Sequence, residues 1–359
     1  MKLKGLIAGG GHGTRLRPIT HTRNKHLIKI ANKPLIFYAI ENLINAGIDN
    51  IAIVYREDDH IIKEVVGSGS HWGIKITYLS QKEPRGLAQV VQLSQSFMGK
   101  SRFVFHLGDN LLRHGVSEYV DKFEALKSNC HILITPVDNP QAFGVPTFHT
   151  KNKDRIIRLT EKPKRPDSNF AMTGIYCFDQ NIFDVIETLK PSKRGEYEIT
   201  DAITKLIEQG FKVTHSKTNG WWKDTGKPAD MLEANSLILR EMQAKIDGTV
   251  DKDSQVIGDV AIEKGVKIRE STINGPVVIG VGSVVENSFI GPFTSISSNC
   301  RIKNSEIEMS IVGDETELTD LPRRVRESII GERVSIKGNK SRPQGDSFIV
   351  GDQSTVSVC

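Results

Sequence analysis

From Gly248 onward an aliphatic residue returns at every sixth position: Val256, Ile262 and Ile268, then Val278, Val284, Ile290, Ile296 and Ile302. That spacing is neither the period of an amphipathic helix nor the alternation of a half-buried strand. A second signal overlies it, an aliphatic residue followed by Gly, with a small or β-branched residue four positions after the aliphatic. It occurs at Ile257-Gly258…Ala261, Ile279-Gly280…Ser283, Ile290-Gly291…Thr294, Val312-Gly313…Thr316, Ile330-Gly331…Val334 and Val350-Gly351…Ser354. Both signals suit a parallel β-helix, in which each short strand sends one aliphatic side chain inward and glycine turns the corner. A loose all-β sandwich, the competing reading, gives no reason for six such repeats. Leu318 to Arg326 and Lys337 to Gly345 break the rhythm and are expected to form loops leaving the prism.

Residues 1–245 read differently. Lys4 to Ala8, Ile51 to Tyr55 and Phe103 to Leu107 are apolar runs of strand length. Between them, Leu35 to Ile44 and Gln89 to Phe97 have helical spacing. Such alternation predicts an α/β domain with a mainly parallel, Rossmann-like sheet covered on both faces. Its ligand would lie beyond the carboxyl ends of the strands. Two domains are therefore expected, residues 1–245 and residues 246–359, in keeping with a chain of 359 residues.

Forty-eight Lys and Arg against 43 Asp and Glu leave a net charge of +5. This small excess suits an anionic small molecule better than nucleic acid. The start of the chain lacks a signal-peptide core, no apolar run is long enough for a membrane span, and Cys130, Cys177, Cys300 and Cys359 form no CxxC pair. A cytoplasmic protein with reduced thiols is expected.

The first strand runs into Gly9-Gly10-Gly11-His12-Gly13-Thr14-Arg15-Leu16-Arg17-Pro18. Consecutive glycines let backbone N–H groups close around phosphate oxygens. A Walker loop would place Lys after Gly13, and a dinucleotide fingerprint would place Gly or Ala where Thr14 stands. Arg15 and Lys25 add positive charge that hydride transfer does not need. Attack at a nucleotide α-phosphate, with pyrophosphate leaving, uses such cations directly, because negative charge spreads over several oxygens in the transition state. Two further acids follow apolar segments, Asp109 in Leu107-Gly108-Asp109-Asn110 and Asp224 in Trp222-Lys223-Asp224-Thr225-Gly226. Two such carboxylates could hold Mg²⁺, which prefers hard oxygen ligands including those of substrate phosphates.

Gly10-Gly11-His12-Gly13-Thr14-Arg15-Leu16-Arg17-Pro18-Ile19-Thr20, then Lys25 and Asn32-Lys33-Pro34-Leu35, resemble the signature of sugar-1-phosphate nucleotidylyltransferases. The likeness is strongest to glucose-1-phosphate thymidylyltransferases of the long form, which carry a C-terminal left-handed β-helix. It implies transfer of dTMP from dTTP to glucose 1-phosphate, giving dTDP-glucose and pyrophosphate, with Mg²⁺ on Asp109 and Asp224. It implies Arg15, Lys25 and Lys162 as catalytic cations. Gly10, Gly11, Gly13, Thr14, Arg15, His26 and Asp109 would meet the nucleotide. Gln81, with Gly86 in Arg85-Gly86-Leu87-Ala88, would read a pyrimidine edge, for which an amide offers both donor and acceptor. Gly144, Glu161, Lys162, Thr173, Gly174, Arg194 and Trp222 would line the sugar-phosphate side. Two positions depart from the family pattern: His26 stands where Gln is common and Lys29 where proline is usual. Both leave the choice between dTTP and UTP open.

Three other readings compete. One is a UTP-dependent uridylyltransferase. Another is a non-catalytic, regulatory sugar-nucleotide-binding subunit, although such a subunit would be expected to lose the acids or the cations. The third is an added acyltransferase activity on the β-helix, which would need a histidine base. All ten histidines precede residue 216, so that tail has none. Related tails assemble as trimers, and a closed homo-oligomer is expected here too.

Overall fold

Consecutive residues of the first strand belong to different cores. In the computed structural model, which describes residues 2–152, 154–339 and 350–357, Leu6 enters one apolar cluster and Ile7 the other. The same division separates Phe103 and Phe105 from Val104, Ile132 and Ile134 from Leu133, and Ala52 and Val54 from Ile51 and Ile53. Side chains alternate across a strand, so unbroken aliphatic runs dictate a sheet covered on both faces. The sheet has seven strands, in the order Val213–Lys217, Cys130–Pro136, Phe170–Phe178, Phe103–Leu107, Lys4–Ala8, Asn50–Arg56 and Lys75–Gln81. Every neighbouring pair is parallel except those made by Phe170–Phe178, which is antiparallel to both neighbours. Ala8 pairs with Leu107 and with Val54, and Arg56 with Gln81. The carboxyl ends of these four strands therefore share one edge.

The helix Leu35–Asn45 buries Leu35, Ile36, Ala39, Ile40 and Leu43, one face at helical spacing. The helix expected over Gln89 to Phe97 instead divides into Leu87–Leu93 and Gln95–Met98. Ser94 separates them, its hydroxyl donating to the Val91 carbonyl (2.7 Å). A serine side chain that satisfies nearby backbone competes with helix continuation, a local effect that the apolar spacing did not reveal.

By its internal contacts the chain divides into two units: residues 1–12, 24–27 and 35–224 form the first, and residues 13–23, 28–34 and 225–359 the second. The seven-stranded sheet lies in the first. The second contains the helix Pro228–Leu239 and three all-parallel sheets of six, six and five short strands. This is the three-sided arrangement of a left-handed β-helix. Ile262, Ile279, Ile296, Val312 and Ile330 stack as one inward ladder, with Ile268, Val285, Ile302 and Leu318 as the second and Ile273, Ile290 and Ile307 in the third. Full burial of such a side chain contributes roughly 1.5–3 kcal/mol.

Three expectations for the tail are corrected. Val278 and Val284 do not belong to the inward-facing cluster of the prism, although Val278 is itself buried. Val278 shares its row with Ala261 and Ser295, and Val284 shares its row with Lys267 and Arg301, whereas Ile279 and Val285 face inward. In the unbroken runs Val277-Val278-Ile279 and Val284-Val285 composition does not choose the frame, and pairing between coils does. The repeating glycines mostly act differently from expectation. Gly258 does take left-handed backbone (φ +74°), but at other corners that conformation is carried by Glu270, Asn287, Asn304 and Asp320, and Gly280 is needed because a Cβ would stand 2.7 Å from the backbone of Ser297 in the next coil. Finally, Leu318 to Arg326 do not all leave the prism. Glu317–Thr319 and Val325–Arg326 are strands, and Leu318 is wholly buried. The second interruption begins as the strand Ser335–Lys337, while residues 340–345 and Cys359 lie outside the described residues.

A serine ladder supports one corner: the N–H of Ser271, Ser288 and Ser305 each donates to the hydroxyl of the serine 17 residues earlier. Replacing Ser288 with Ala would leave the Ser305 N–H without its acceptor. The expected loss is about 1–2 kcal/mol of stability, read as a lower denaturant midpoint. Among the described residues no helix is long and apolar enough to cross a membrane.

Candidate active site

The glycine run at the end of Lys4–Ala8 is shaped by what comes close to it. The Gly9 N–H donates to the Val54 carbonyl (2.8 Å). A Cβ on Gly10 would lie 3.1 Å from Gln81 Oε1, and one on Gly11 would lie 3.0 Å from Lys25 Cε. The bare backbone thus admits two side chains that the sequence had placed at a nucleotide site. Asn24 ties the same region together. Its Nδ2 donates to the Gly9 carbonyl (2.8 Å) and to the Asp59 carboxylate, and its Oδ1 accepts from the His26 N–H (2.8 Å) and lies 2.7 Å from His26 Nδ1.

Lys25 pairs with Asp109 through Nζ and Oδ2, and the two side chains are only 14% and 11% exposed. Burial by itself would raise the Asp109 carboxyl, but the Lys25 ammonium and hydrogen bonds from Lys25 and Asn110 outweigh it and hold the group well below the usual carboxylate range. His26 is also buried. Burial, reinforced by the Lys25 charge, pushes its pKa down to about 3, so the ring is neutral at pH 7.

Asn110 is the hub of the next layer. Its Nδ2 donates to Asp109 Oδ1 (3.1 Å), while its Oδ1 accepts from the Gly174 N–H (3.3 Å) and from Trp222 Nε1 (2.7 Å). The short strands Asn110–Leu112 and Trp222–Asp224 are antiparallel, with Asn110 opposite Asp224. Asp109 and Asp224 are thereby carried at neighbouring backbone positions, although 115 residues apart in sequence by their numbers. Among the described residues no group of three or more His, Cys, Asp or Glu is placed to hold a metal ion. The pair of carboxylates matches the donor set of a hard divalent cation that completes its shell with water and phosphate oxygens.

From Trp222 the contacts continue toward the opposite hairpin. Trp222 meets Phe143 edge-on, with ring centroids 5.4 Å apart. Gly144 follows and pairs with Glu161 across the ladder. A Cβ on Gly144 would lie 2.7 Å from Thr200 Cγ2 and 3.4 Å from Glu161 Oε2. Burial pushes the Glu161 carboxyl above its ordinary value, against the pull of Lys162 and Arg194. Those cations stand 3.7 and 3.4 Å from Glu161 Oε1. Arg194 also meets Glu196 (3.0 Å) and Glu198 (3.3 Å). Thr173 is wholly buried and donates to the Leu133 carbonyl (3.3 Å).

On the other flank, Gln81 ends its strand buried, and its Nε2 donates to Gln89 Oε1 (2.8 Å). Gln89 Oε1 also accepts from the Arg85 N–H (2.8 Å). Gly86 has φ +102°, and a Cβ there would meet the Tyr197 carbonyl oxygen at 2.5 Å, so only glycine fits. The N–H of Ala88 donates to that same carbonyl (3.1 Å), and the Tyr197 N–H donates to Arg85 (2.7 Å). This joins the segment after Gln81 to the segment that carries Arg194.

One edge of the sheet thus gathers a glycine loop, a lysine–aspartate pair, a second aspartate and a lysine–arginine–glutamate group. The nucleotidyl transferase family pattern matches residues 4–241. The chain belongs to the nucleotidyl transferase family. This nucleotidyl transferase is 40% identical over 356 residues to a glucose-1-phosphate thymidylyltransferase of Streptomyces griseus, covering 99% of both chains. It is 39% identical over 363 residues to the low-salt glycan biosynthesis nucleotidyltransferase Agl11 of Haloferax volcanii, covering 99% of this chain and all of that one. Among solved structures, a Bacillus anthracis protein provisionally assigned as a glucose-1-phosphate thymidylyltransferase, in complex with a sucrose, superposes with a TM-score of 0.63 at 37% identity. It covers 68% of this chain and 98% of that one.

Gly13, Thr14 and Arg15 belong to the second unit of the transferase. Gly13 has φ +61° and opens the short turn Thr14–Leu16, its carbonyl accepting from the Thr20 hydroxyl (2.8 Å), and Arg15 is exposed. Sequence reading assigned no role to Asn24, Gln89 or Asn110. Each adjoins a recognised segment: Gln89 meets Gln81 and Arg85 from eight and four residues away, whereas Asn24 meets Asp59 from 35 and Asn110 meets Gly174 and Trp222 from 64 and 112. A polar residue directly beside a strand-end acid or a loop cation is the one local hint.

Proposed function

We propose that this transferase moves dTMP from dTTP to glucose 1-phosphate, releasing pyrophosphate and forming dTDP-glucose. The buried Lys25–Asp109 pair, with Asp224 carried beside it, is the observation on which the reading rests. The names of the 40% identical relatives support it. A sugar-phosphate oxygen attacks the α-phosphorus, the new O–P bond forms as the bond to the β-phosphate oxygen breaks, and no enzyme nucleophile takes part. The backbones of Gly10, Gly11 and Gly13 with Thr14 receive the nucleotide phosphates, and Arg15 and Lys25 neutralise them. The Asp109 carboxylate balances the Lys25 ammonium, and phosphate oxygens offer that ammonium a further partner. Gln81 and Gly86 read the pyrimidine, the amide held by Gln89. His26, neutral and bonded to Asn24, supports the loop beneath the nucleotide. Gly144, Glu161, Thr173, Gly174 and Trp222 receive the hexose, while Lys162 and Arg194 hold its phosphate in line.

Asp109 and Asp224 are the residues that would hold Mg²⁺, which when bound supplies positive charge to the phosphate oxygens. Residues 1–245 are taken as the catalytic domain and residues 246–359 as the hexapeptide tail, a division supported by the extent of the family match. Assembly as a homotrimer belongs to the same reading.

Pyrophosphate release should be measured over dTTP, UTP, CTP and ATP against several hexose 1-phosphates with Mg²⁺ present. The expected result is the highest kcat/KM with dTTP and glucose 1-phosphate. A higher value with UTP would make the chain a uridylyltransferase, and no release with any pair would make it a binding subunit.

A further inference from the structure

The N-terminal signature is divided between the two units. Residues 13–23 and 28–34 group with the β-helix, whereas Asn24–Leu27, which carries Lys25, does not. Within the β-helix unit, two ion pairs hold those flanking segments. Arg23 forms a bidentate pair with both carboxylate oxygens of Glu332. Lys29 Nζ lies 2.8 and 2.6 Å from the two carboxylate oxygens of Asp314. All four side chains are between 20% and 28% exposed. The partners are 309 and 285 residues apart in sequence.

The two acids occupy one corner of adjacent coils. Asp314 follows Val312-Gly313 and Glu332 follows Ile330-Gly331, and Val312 pairs with Ile330. Asp314 is itself held in place, because its Oδ1 accepts from the Ser298 N–H (2.9 Å). Neutral hydrogen bonds fix the stretch between the cations and Leu35. The Ala31 N–H donates to Oδ1 of the buried Asn235 (2.8 Å), and Asn32 Nδ2 donates to the Ile296 carbonyl (2.8 Å). Lys29 also stands where the resembled family usually has proline, and proline could not make this ion pair.

We infer that the β-helix corner formed by Asp314 and Glu332 is a positioning device for the nucleotide loop, holding the chain on both sides of Asn24–Leu27. Arg23 lies two residues before Lys25 and Lys29 four after it, so little slack remains between the anchors. Arg23, Lys29, Asp314 and Glu332 are positioning residues, acting through the backbone that carries Lys25. The tail then contributes to the transferase reaction through order imposed on the loop. The role of Lys25 rests on the proposed function, but the tether does not.

The test compares the full-length chain with a Glu332→Gln, Asp314→Asn variant. Asparagine at 314 keeps an acceptor for Ser298, so the coil stays capped. Amide hydrogen exchange across residues 13–34 is expected to accelerate, and kcat/KM for dTTP to fall about tenfold, with kcat/KM for glucose 1-phosphate falling through kcat alone. Exchanging the charges, Arg23→Glu with Glu332→Arg, should recover most of the loss caused by Glu332→Gln, which a merely structural defect would not allow. If the double variant fails to fold, Glu332→Gln alone is read in the same way. Unchanged exchange across residues 13–34 would overturn the inference, as would a kinetic loss that the charge exchange does not recover. A wild-type chain inactive with every nucleotide would remove the proposed function, and amide exchange would still decide the tether.

Discussion

Asn in place of Asp109 is expected to lower kcat by at least ~10²-fold, with little increase in KM for the nucleotide. Asp109 follows the strand Phe103–Leu107, and its carboxylate meets the Lys25 ammonium on one side and the Asn110 amide on the other. Asparagine nearly preserves the volume and can still accept a hydrogen bond, so the loss isolates the negative charge. That charge is what a hard divalent cation needs from the protein. Lys25 without its carboxylate remains available to phosphate oxygens, which is why binding should suffer less than turnover. Steady-state rates of pyrophosphate release with dTTP, glucose 1-phosphate and Mg²⁺ provide the measurement. Wild-type kcat in the variant would remove Asp109 from the reaction.

Asn110→Leu is expected to cost roughly 2–5 kcal/mol of stability, because it strands one buried and one half-buried donor at once. Gly174 N–H and Trp222 Nε1 both rely on Asn110 Oδ1, and leucine offers them nothing. Gly174 has no room to adjust, since even a Cβ there would stand 2.7 Å from Leu107. The same substitution removes the amide that steadies Asp109, so kcat should fall in whatever fraction stays folded. Chemical denaturation gives the first effect, and activity normalised to folded protein gives the second. An unchanged denaturant midpoint would show that Asn110 is not the hub its hydrogen bonds describe.

Much of the first unit was legible because its strands are local. Lys4–Ala8 and Phe103–Leu107 have the expected limits, and alternation divides their side chains between two cores. The antiparallel direction of Phe170–Phe178 was not legible, since strand direction depends on how the chain returns to the sheet. In the tail, periodicity announced a β-helix, but Val277-Val278-Ile279 could not declare which valine faces inward until coil was paired with coil. The site shows the same division. Glycines and charged residues could be picked out one by one, whereas Asn24 and Asn110, which hold them, look like ordinary polar neighbours.

By itself the amino-acid order determined what is set by short-range chemistry: a glycine loop after an apolar strand, acids at strand ends, and a six-residue repeat that only a stacked coil can bury. Only the tertiary structure decided which distant side chains share a hydrogen bond or an ion pair, because such contacts depend on the register between segments and no local period encodes it. Asn110 with Trp222, and Lys29 with Asp314, are of that second kind.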